Sequence, residues 1–76
     1  MIGKNFIHKE MLQFQELYFE DEPVIVFDDT WTMANIAVEC DLAKSLSQAR
    51  KQGWDEKIPN GFSERKKKKP FWILNK

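Results

Sequence analysis

The stretch MANIAVECDLAKSLSQARKQG, residues 33–53, decides the fold because it predicts two consecutive helices. Its first half repeats apolar residues at the spacing of one face of an amphipathic helix, at Met33, Ile36, Ala37 and Cys40. Three polar residues just upstream are the candidate N-caps of that helix: Asp28, Asp29 and Thr30. Ser45 opens the second helix, since Gln48 completes a capping box, and Gly53 ends it. The sequence therefore predicts a helix–turn–helix pair with a tight turn.

Upstream of this pair, the β-branched run at residues 24–27 is the clearest strand in the chain. Residues 10–20 fit two patterns, because their apolar residues recur at helical spacing but also alternate with glutamines around Phe14. We predict a hairpin that pairs residues 17–19 with residues 24–27. A continuous helix is the alternative, and a helical start to the segment is compatible with either. Residues 1–9 show no clear pattern and are expected to form a loose lead-in.

Downstream of the pair, Pro59-Asn60-Gly61 is a strong turn signal, because Asn and Gly tolerate positive φ. A polar, mostly basic stretch follows at residues 63–69, and residues 71–74 predict a terminal strand with Pro70 at its start. These elements indicate an α+β fold, in which the helix–turn–helix pair packs on a short antiparallel sheet. A chain of 76 residues forms one small domain, spanning residues 1–76.

The charge of the chain is split along its length, although 12 basic and 12 acidic residues give a total of zero. Residues 1–41 contain two lysines and nine carboxylates, a net charge of −7. Residues 42–76 contain ten basic and three acidic residues, a net charge of +7. Exposed ion pairs are worth only about 0–1 kcal/mol each, so attraction between the halves is a weak reason for such a split. The asymmetry favours a polyanionic partner for the basic half.

The turn and second helix carry a further pattern, DLAKSLSQARKQG, at residues 41–53. An apolar helix leads through a short turn to a serine that opens the next helix, followed by an alanine, a basic pair and a glycine. The residues that carry this pattern before the glycine are Ile36, Val38 to Cys40, Leu42, Ser45, Ala49, Arg50 and Lys51. In these positions the chain resembles the RNA-binding domain typified by ribosomal small-subunit protein four. That domain also occurs in pseudouridine synthases, heat-shock ribosome-binding proteins and bacterial tyrosyl-tRNA synthetases.

The resemblance covers residues 33–61 and departs from the family pattern in two places. Gly53 falls earlier than the family's terminating glycine, which shortens the second helix. Trp54 and Ile58-Pro59 then stand between that glycine and the Asn60-Gly61 turn. The resemblance implies binding to structured RNA through the second helix and the basic residues beside it.

The residues of the basic half point to phosphate contacts in their own right. A helix N-terminus such as that at Ser45 presents unpaired backbone N–H groups to an anion, and a run of cations neutralises phosphates. We expect a small non-enzymatic RNA-binding domain that uses the following residues: Lys44, Ser45, Ser47, Gln48, Arg50, Lys51, Arg65, Lys66, Lys67, Lys68 and Lys69. Trp54 and Trp72 lie among these cations in the sequence and are the candidates for stacking on unpaired bases.

The chain lacks the residue patterns of common catalytic and metal sites. Cys40 is the one cysteine and is expected to be buried, and the one histidine, His8, lies far from it in sequence. No glycine-rich phosphate loop, nucleophile motif or spaced calcium loop is present. We expect no enzymatic activity, no cofactor and no metal. Without an apolar run of about 18 residues or a signal peptide, we expect a cytoplasmic protein without membrane contact.

Two alternative functions remain open. The acidic half could mimic nucleic acid and dock on a partner protein, as in a protein-interaction module or a small phage-type regulator. The helix pair could instead bind DNA, because Ala37, Asp41 and Leu42 lie near the spacing of the DNA-binding helix–turn–helix motif. Asp41, however, replaces the glycine of that motif, and Ser47 replaces a later aliphatic residue. These mismatches favour RNA over DNA as the partner.

Overall fold

The computed structural model describes residues 3–76, and its helices and strands follow one another along the chain. They are β1 (Lys4–His8), a 3₁₀ helix (Lys9–Phe14) that continues into α1 (Gln15–Phe19), β2 (Ile25–Phe27), α2 (Met33–Glu39), α3 (Leu46–Lys51), β3 (Phe62–Arg65) and β4 (Phe71–Leu74). The α+β class is confirmed, as are the helix–turn–helix pair and the strands predicted at residues 24–27 and 71–74.

The four strands form one sheet in the order β2-β1-β4-β3. β1 is parallel to both of its neighbours, so that Phe6 lies beside Ile25 on one side and Ile73 on the other. β3 and β4 form an antiparallel hairpin, with Phe62 opposite Leu74. The sheet is therefore mixed, not purely antiparallel as the sequence suggested, because residues 4–8 supply one of its two inner strands, which we call the central strand.

The central strand also shows that the prediction of a loose lead-in at residues 1–9 was wrong for residues 4–8. Residues 5–8 are all buried, since helices cover both faces of the sheet. Phe6 belongs to the core on the α2 side, and Ile7 packs with Phe19 on the α1 side. A strand that is buried on both faces lacks the alternation of apolar and polar residues by which a half-buried strand is found.

Residues 9–19 are helical, so the predicted hairpin between residues 17–19 and 24–27 is wrong and the helical alternative holds. Parallel strands need a long crossover connection, whereas a hairpin joins antiparallel strands. The 3₁₀ helix and α1 supply that crossover between β1 and β2. Phe19, only 5% exposed, anchors α1 against Ile7 and Leu74.

The main core lies between α2 and the sheet and consists of Phe6, Phe27, Ile36, Cys40, Ile58, Phe71 and Ile73. α3 packs on α2 through small buried residues, namely Ala34, Ala37, Ala43 and Ala49. The prediction that Cys40 is buried is confirmed. Burial raises the pKa of its thiol to about 11, so the thiol is protonated at neutral pH.

The N-cap of α2 is Thr32, and the prediction that it would be Asp28, Asp29 or Thr30 is wrong. The Thr32 hydroxyl accepts a hydrogen bond from the Ala34 N–H at 3.3 Å, and the Asn35 side chain accepts one from the Thr32 N–H at 2.9 Å. This reciprocal pair is a capping box, with Asn in place of the usual Glu or Gln. Asp28 instead accepts the Thr30 N–H at 2.9 Å and shapes the turn after β2.

The tight turn between the two helices begins at Asp41, which adopts a left-handed φ of 59°. The Leu42 N–H donates to the Ala37 carbonyl at 2.8 Å, and the Asp41 N–H donates to the Val38 carbonyl at 3.1 Å. These two bonds form a Schellman motif, in which glycine is the usual left-handed residue and Asp is tolerated. The turn thereby directs the chain straight from α2 into α3.

Candidate nucleic-acid interface

Residues Lys66–Lys69, the basic loop, join β3 to β4, and all four side chains are exposed. Arg65 closes the base of this loop, because its guanidinium donates to the Lys69 carbonyl at 3.1 Å. The same guanidinium lies 5.9 Å from the centre of the Phe71 ring, within the range of a cation–π contact. Arg65 thus holds the loop, and the hairpin presents the lysines from a well-defined base.

Two lysines bind the C-terminal end of α2. Lys69 Nζ donates to the Asp41 carbonyl at 2.7 Å, and Lys4 Nζ donates to the Glu39 carbonyl at 2.6 Å. Carbonyl groups at a helix C-terminus carry partial negative charge, which cations stabilise. The basic loop is thereby attached to the turn that leads into α3. Sequence analysis missed Lys4, because only the assignment of residues 4–8 to a strand next to β4 places it there.

The N-terminus of α3 is closed by its own side chains. Ser45 Oγ accepts the Gln48 N–H at 3.2 Å, and Gln48 Oε1 accepts the Lys44 N–H at 2.7 Å. Ser45 is therefore confirmed as the N-cap, but the predicted capping box is only half formed, because the Gln48 side chain accepts the Lys44 N–H and not the Ser45 N–H. Both side chains act as acceptors in these bonds, so two backbone N–H groups are satisfied, while the Ser45 O–H and the Gln48 Nε2 amide hydrogens are not used in them. Ser47, one position into the first turn, is exposed.

The other predicted cations lie at opposite ends of α3. Lys44 is exposed three residues after Asp41, so its Cα lies within about 11 Å of the turn that Lys69 contacts. Arg50 and Lys51 are exposed in the last turn of α3. At a rise of about 1.5 Å per residue, the six-residue helix separates its two ends by about 9 Å. Of Lys44, Arg50 and Lys51, Lys44 is therefore the one closest along the chain to Asp41, which the basic loop contacts through Lys69.

The two tryptophans proposed for base stacking lie on different sides of the molecule. Trp54 is half-buried against the small-residue cluster between α2 and α3. Trp72 is half-buried on the α1 face of the sheet, where it packs near Ile7 and Leu74. The structure does not bring the two rings to one surface with the basic loop, which leans toward α2.

Few lysines of this region are neutralised by carboxylates within residues 3–76. Lys66 lies 3.6 Å from Glu64, and both side chains are largely exposed. Lys44, Lys67 and Lys68 form no ion pair in the described part of the chain. The basic loop and the α2–α3 turn thus form one surface on which the lysines outnumber the exposed carboxylates of Glu39, Asp41 and Glu64.

A second polar cluster, which the sequence did not predict, lies at the carboxyl ends of β1, β2 and β4. His8, 1% exposed, accepts the Glu10 N–H at Nδ1 at 3.0 Å, which leaves its proton on Nε2. Nε2 then donates to Asp29 Oδ1 at 2.7 Å. Lys76 Nζ lies 3.1 Å from Asp29 and 3.3 Å from Glu10. This His8–Asp29–Lys76 cluster ties the C-terminus to the end of the sheet.

The cluster contains the residue types of a metal or acid–base site, but the atoms that would bind a metal or a proton are already engaged by other groups. Ligand atoms of His8, Glu10 and Asp29 lie within 4.8 Å of one another. Both nitrogens of His8, however, are already hydrogen-bonded, and the Lys76 ammonium already lies between the two carboxylates. We therefore interpret the cluster as structural.

The cluster predicts a dependence of stability on acid pH. Hydrogen bonds, first from Lys76 and next from His8, lower the pKa of Asp29 below its usual 3.8. A lowered pKa in the folded state stabilises the fold above the unfolded-state pKa, and this stabilisation is lost as the pH falls through the folded-state value. In thermal unfolding followed by circular dichroism, we expect a smaller fall in Tm below about pH 4 for Asp29→Asn than for the wild type.

Asp55→Asn is the control for that measurement, because Asp55 is exposed and makes none of these contacts within residues 3–76. It should keep the acid profile of the wild type. Equal profiles for Asp29→Asn and the wild type would contradict the assignment.

No helix within residues 3–76 combines the length and the apolar character that crossing a membrane requires. Comparison of the chain with protein-family models, with curated proteins and with solved structures finds no significant match to any of them.

Proposed function

We propose that this chain is a small RNA-binding domain that contacts phosphates through the basic loop Lys66–Lys69 and the adjoining turn at Lys44. The observation that carries the proposal is the position of the loop: four consecutive exposed lysines extend from a β-hairpin whose base Arg65 closes. Because the base of the hairpin is closed, the loop backbone has little conformational freedom to lose on binding, which favours affinity.

The surroundings of the loop support the same proposal. Lys4 and Lys69 bond to the end of α2, and Lys44 follows in the same turn, so their charges lie close together. Charges within about 10 Å of each other act on a ligand as one field at 0.1 M salt. The acidic residues 16–22 lie on α1 and in the segment that follows it, whereas Lys4 and Lys69 bond to residues of α2 on the other face of the sheet.

The preference for RNA rests on the resemblance of residues 33–61 to the RNA-binding domain of ribosomal small-subunit protein four. The helices that carry the pattern are α2 and α3, and Ser45 and Gln48 form the helix start on which the pattern depends. Arg50 and Lys51 extend the basic surface along α3 in the same proposal. A cytoplasmic location would fit such a role.

A salt series with a structured RNA hairpin tests this function. We expect binding at low salt, with log Kd rising linearly with log salt concentration and a slope of at least about 2, because three or more phosphates are neutralised. Filter binding or mobility shift gives the slope. Absence of binding at low salt would overturn the proposal. If duplex DNA competes with the RNA hairpin as well as unlabelled RNA does, the protein binds nucleic acids in general and is not specific for RNA.

A further inference from the structure

The α1 face of the sheet contains a cleft of about 290 Å³, which we name the aromatic cleft, lined by Asn5, Tyr18, Phe19, Glu22, Phe62 and Trp72. The Tyr18 and Phe62 rings lie 5.4 Å apart with an interplanar angle of 31°. Both side chains are nearly half exposed, at 45% and 44%. Large aromatic side chains that meet at a cleft and stay exposed are typical of binding surfaces.

A buried amide lies in the lining of this cleft with an unused acceptor. Asn5 is 4% exposed, and its Nδ2 donates to Glu22 Oε1 at 2.9 Å and to the Pro23 carbonyl at 3.3 Å. Its Oδ1 has no hydrogen-bond donor within the described residues. The amide cannot be reversed, because Oδ1 would then face a carboxylate and a carbonyl oxygen. Buried polar atoms normally have partners, so this oxygen points to a donor from beyond residues 3–76.

The charge around the cleft is negative. A neighbouring cavity shares Asn5 and Glu22 with it and adds Glu20 and Asp21 to its lining. Glu20, Asp21 and Glu22 are exposed and form no ion pair within residues 3–76. An occupant that brought positive charge would therefore find carboxylates that are not already neutralised.

We propose that the aromatic cleft binds an arginine side chain from a basic peptide segment of a partner protein. A guanidinium is planar and can stack on the exposed rings of Tyr18 and Phe62. Its five N–H groups can serve the Glu22 carboxylate and the Asn5 oxygen at the same time. A lysine ammonium is compact and strongly hydrated, and it fits this combination of flat rings and two acceptors less well.

The chain's own arginine next to the basic loop does not fill the cleft. Arg65 donates to the Lys69 carbonyl and lies over Phe71, which belongs to the core on the α2 side of the sheet. The cleft opens on the α1 side. The two proposals therefore concern different surfaces, and peptide binding at the cleft does not depend on RNA binding at the basic loop.

The test is a titration of the ¹⁵N-labelled protein with the peptide acetyl-Gly-Arg-Gly-Arg-Gly-amide, followed by NMR. We expect shifts centred on the Asn5 side-chain amide and the Trp72 indole. A matched peptide with lysine in place of arginine should bind more weakly, by about threefold or more, because it loses the stacking and the bidentate contact.

Glu22→Gln and Phe62→Leu are the informative variants, because the first keeps an acceptor for Asn5 and the second keeps an apolar side chain at an exposed position. We expect Glu22→Gln to lower the affinity for the arginine peptide by about tenfold and Phe62→Leu to lower it by about threefold. Asp55→Asn removes an equal charge next to Trp54, which packs against the small-residue cluster of α2 and α3, and should leave the affinity unchanged.

Three results would overturn the proposal. The first is that neither Asn5 nor Trp72 shows a shift. The second is that the arginine and lysine peptides bind with equal affinity, in the wild type as well as in Phe62→Leu. The third is that Glu22→Gln and Asp55→Asn weaken binding of the arginine peptide equally. If the protein does not bind the peptide but forms a concentration-dependent dimer that Glu22→Gln abolishes, the cleft would instead be assigned to a second copy of the chain. RNA binding is measured separately and should be the same in Glu22→Gln and Asp55→Asn.

Discussion

Replacing Phe6 with alanine is expected to lower the free energy of unfolding by about 3–5 kcal/mol. A chain of 76 residues has a total stability of roughly 4–11 kcal/mol, at about 0.05–0.15 kcal/mol per residue. The variant therefore loses a large share of its stability, and its unfolding midpoint should fall by well over ten degrees, at about 4–8 °C per kcal/mol for domains of this size.

The expected loss is large because of where Phe6 lies. The ring is fully buried in the central strand, between β2 and β4. Its centre lies 6.4 Å from the ring centres of both Trp31 and Phe71. Truncation removes the contacts with both rings and leaves a cavity between the sheet and α2. Because the neighbouring side chains are closely packed, they cannot readily move to fill this cavity.

Urea denaturation of Phe6→Ala and Phe14→Ala measures this effect with a matched control. Phe14 undergoes the same chemical change, but it is 37% exposed and belongs to none of the three core clusters. It should lose at most about half as much stability. Equal losses in the two variants would contradict the assignment of residues 4–8 to the centre of the sheet.

The helix pair could be predicted from the sequence because its signals are local. The apolar spacing from Met33 to Cys40 and the N-cap signal at Ser45 are complete within a few residues, and the structure confirms the helix and the cap. The N-cap of α2 was placed too early, because Asp28 also has the residue type of a cap and uses its side chain in a turn instead.

The central strand could not be predicted in the same way. Asn5 and His8 interrupt its apolar residues, and both are buried only because distant residues pair with them. Asn5 donates to Glu22, and His8 donates to Asp29, 17 and 21 residues away. Without knowledge of these partners, a buried polar residue is indistinguishable from an exposed one, and the strand resembles a loop.

The basic loop and the aromatic cleft differ in the same way, because the first is contiguous in sequence and the second is assembled only by the fold. The basic loop is a single run of residues, so the sequence shows its charge directly, although the strand that precedes it, β3, was not predicted. The aromatic cleft combines side chains from β1, α1, the segment before β2, β3 and β4. No local pattern reveals such a set, and the topology of the sheet alone brings Tyr18, Phe62 and Trp72 together.

Exchange of two lysines at the tip of the basic loop for serine, Lys67→Ser with Lys68→Ser, is expected to weaken RNA binding by about 25- to 60-fold at 0.1 M salt. Each neutralised phosphate contributes about 0.7–0.9 to the slope of log Kd against log salt concentration, so the slope should fall by about 1.4–1.8. Filter binding over a salt series measures both quantities.

These two lysines are the informative pair because their side chains make no hydrogen bond or ion pair within residues 3–76. Lys69 bonds to the end of α2 and Lys66 lies near Glu64, so exchanging all four would lower the stability of the fold as well as the charge. The unfolding midpoint of the double variant should therefore equal that of the wild type.

A second double variant, Lys9→Ser with Lys57→Ser, removes the same net charge at the other end of the sheet. Lys9 follows the carboxyl end of β1, and Lys57 borders the cavity at that end, whereas the basic loop precedes β4 at its amino end. A bound phosphate backbone at the loop lies beyond the screening length of about 10 Å from charges at the far end, so this variant should retain wild-type affinity and slope. If the two double variants weaken binding equally, total charge governs the interaction and the hairpin is not the site.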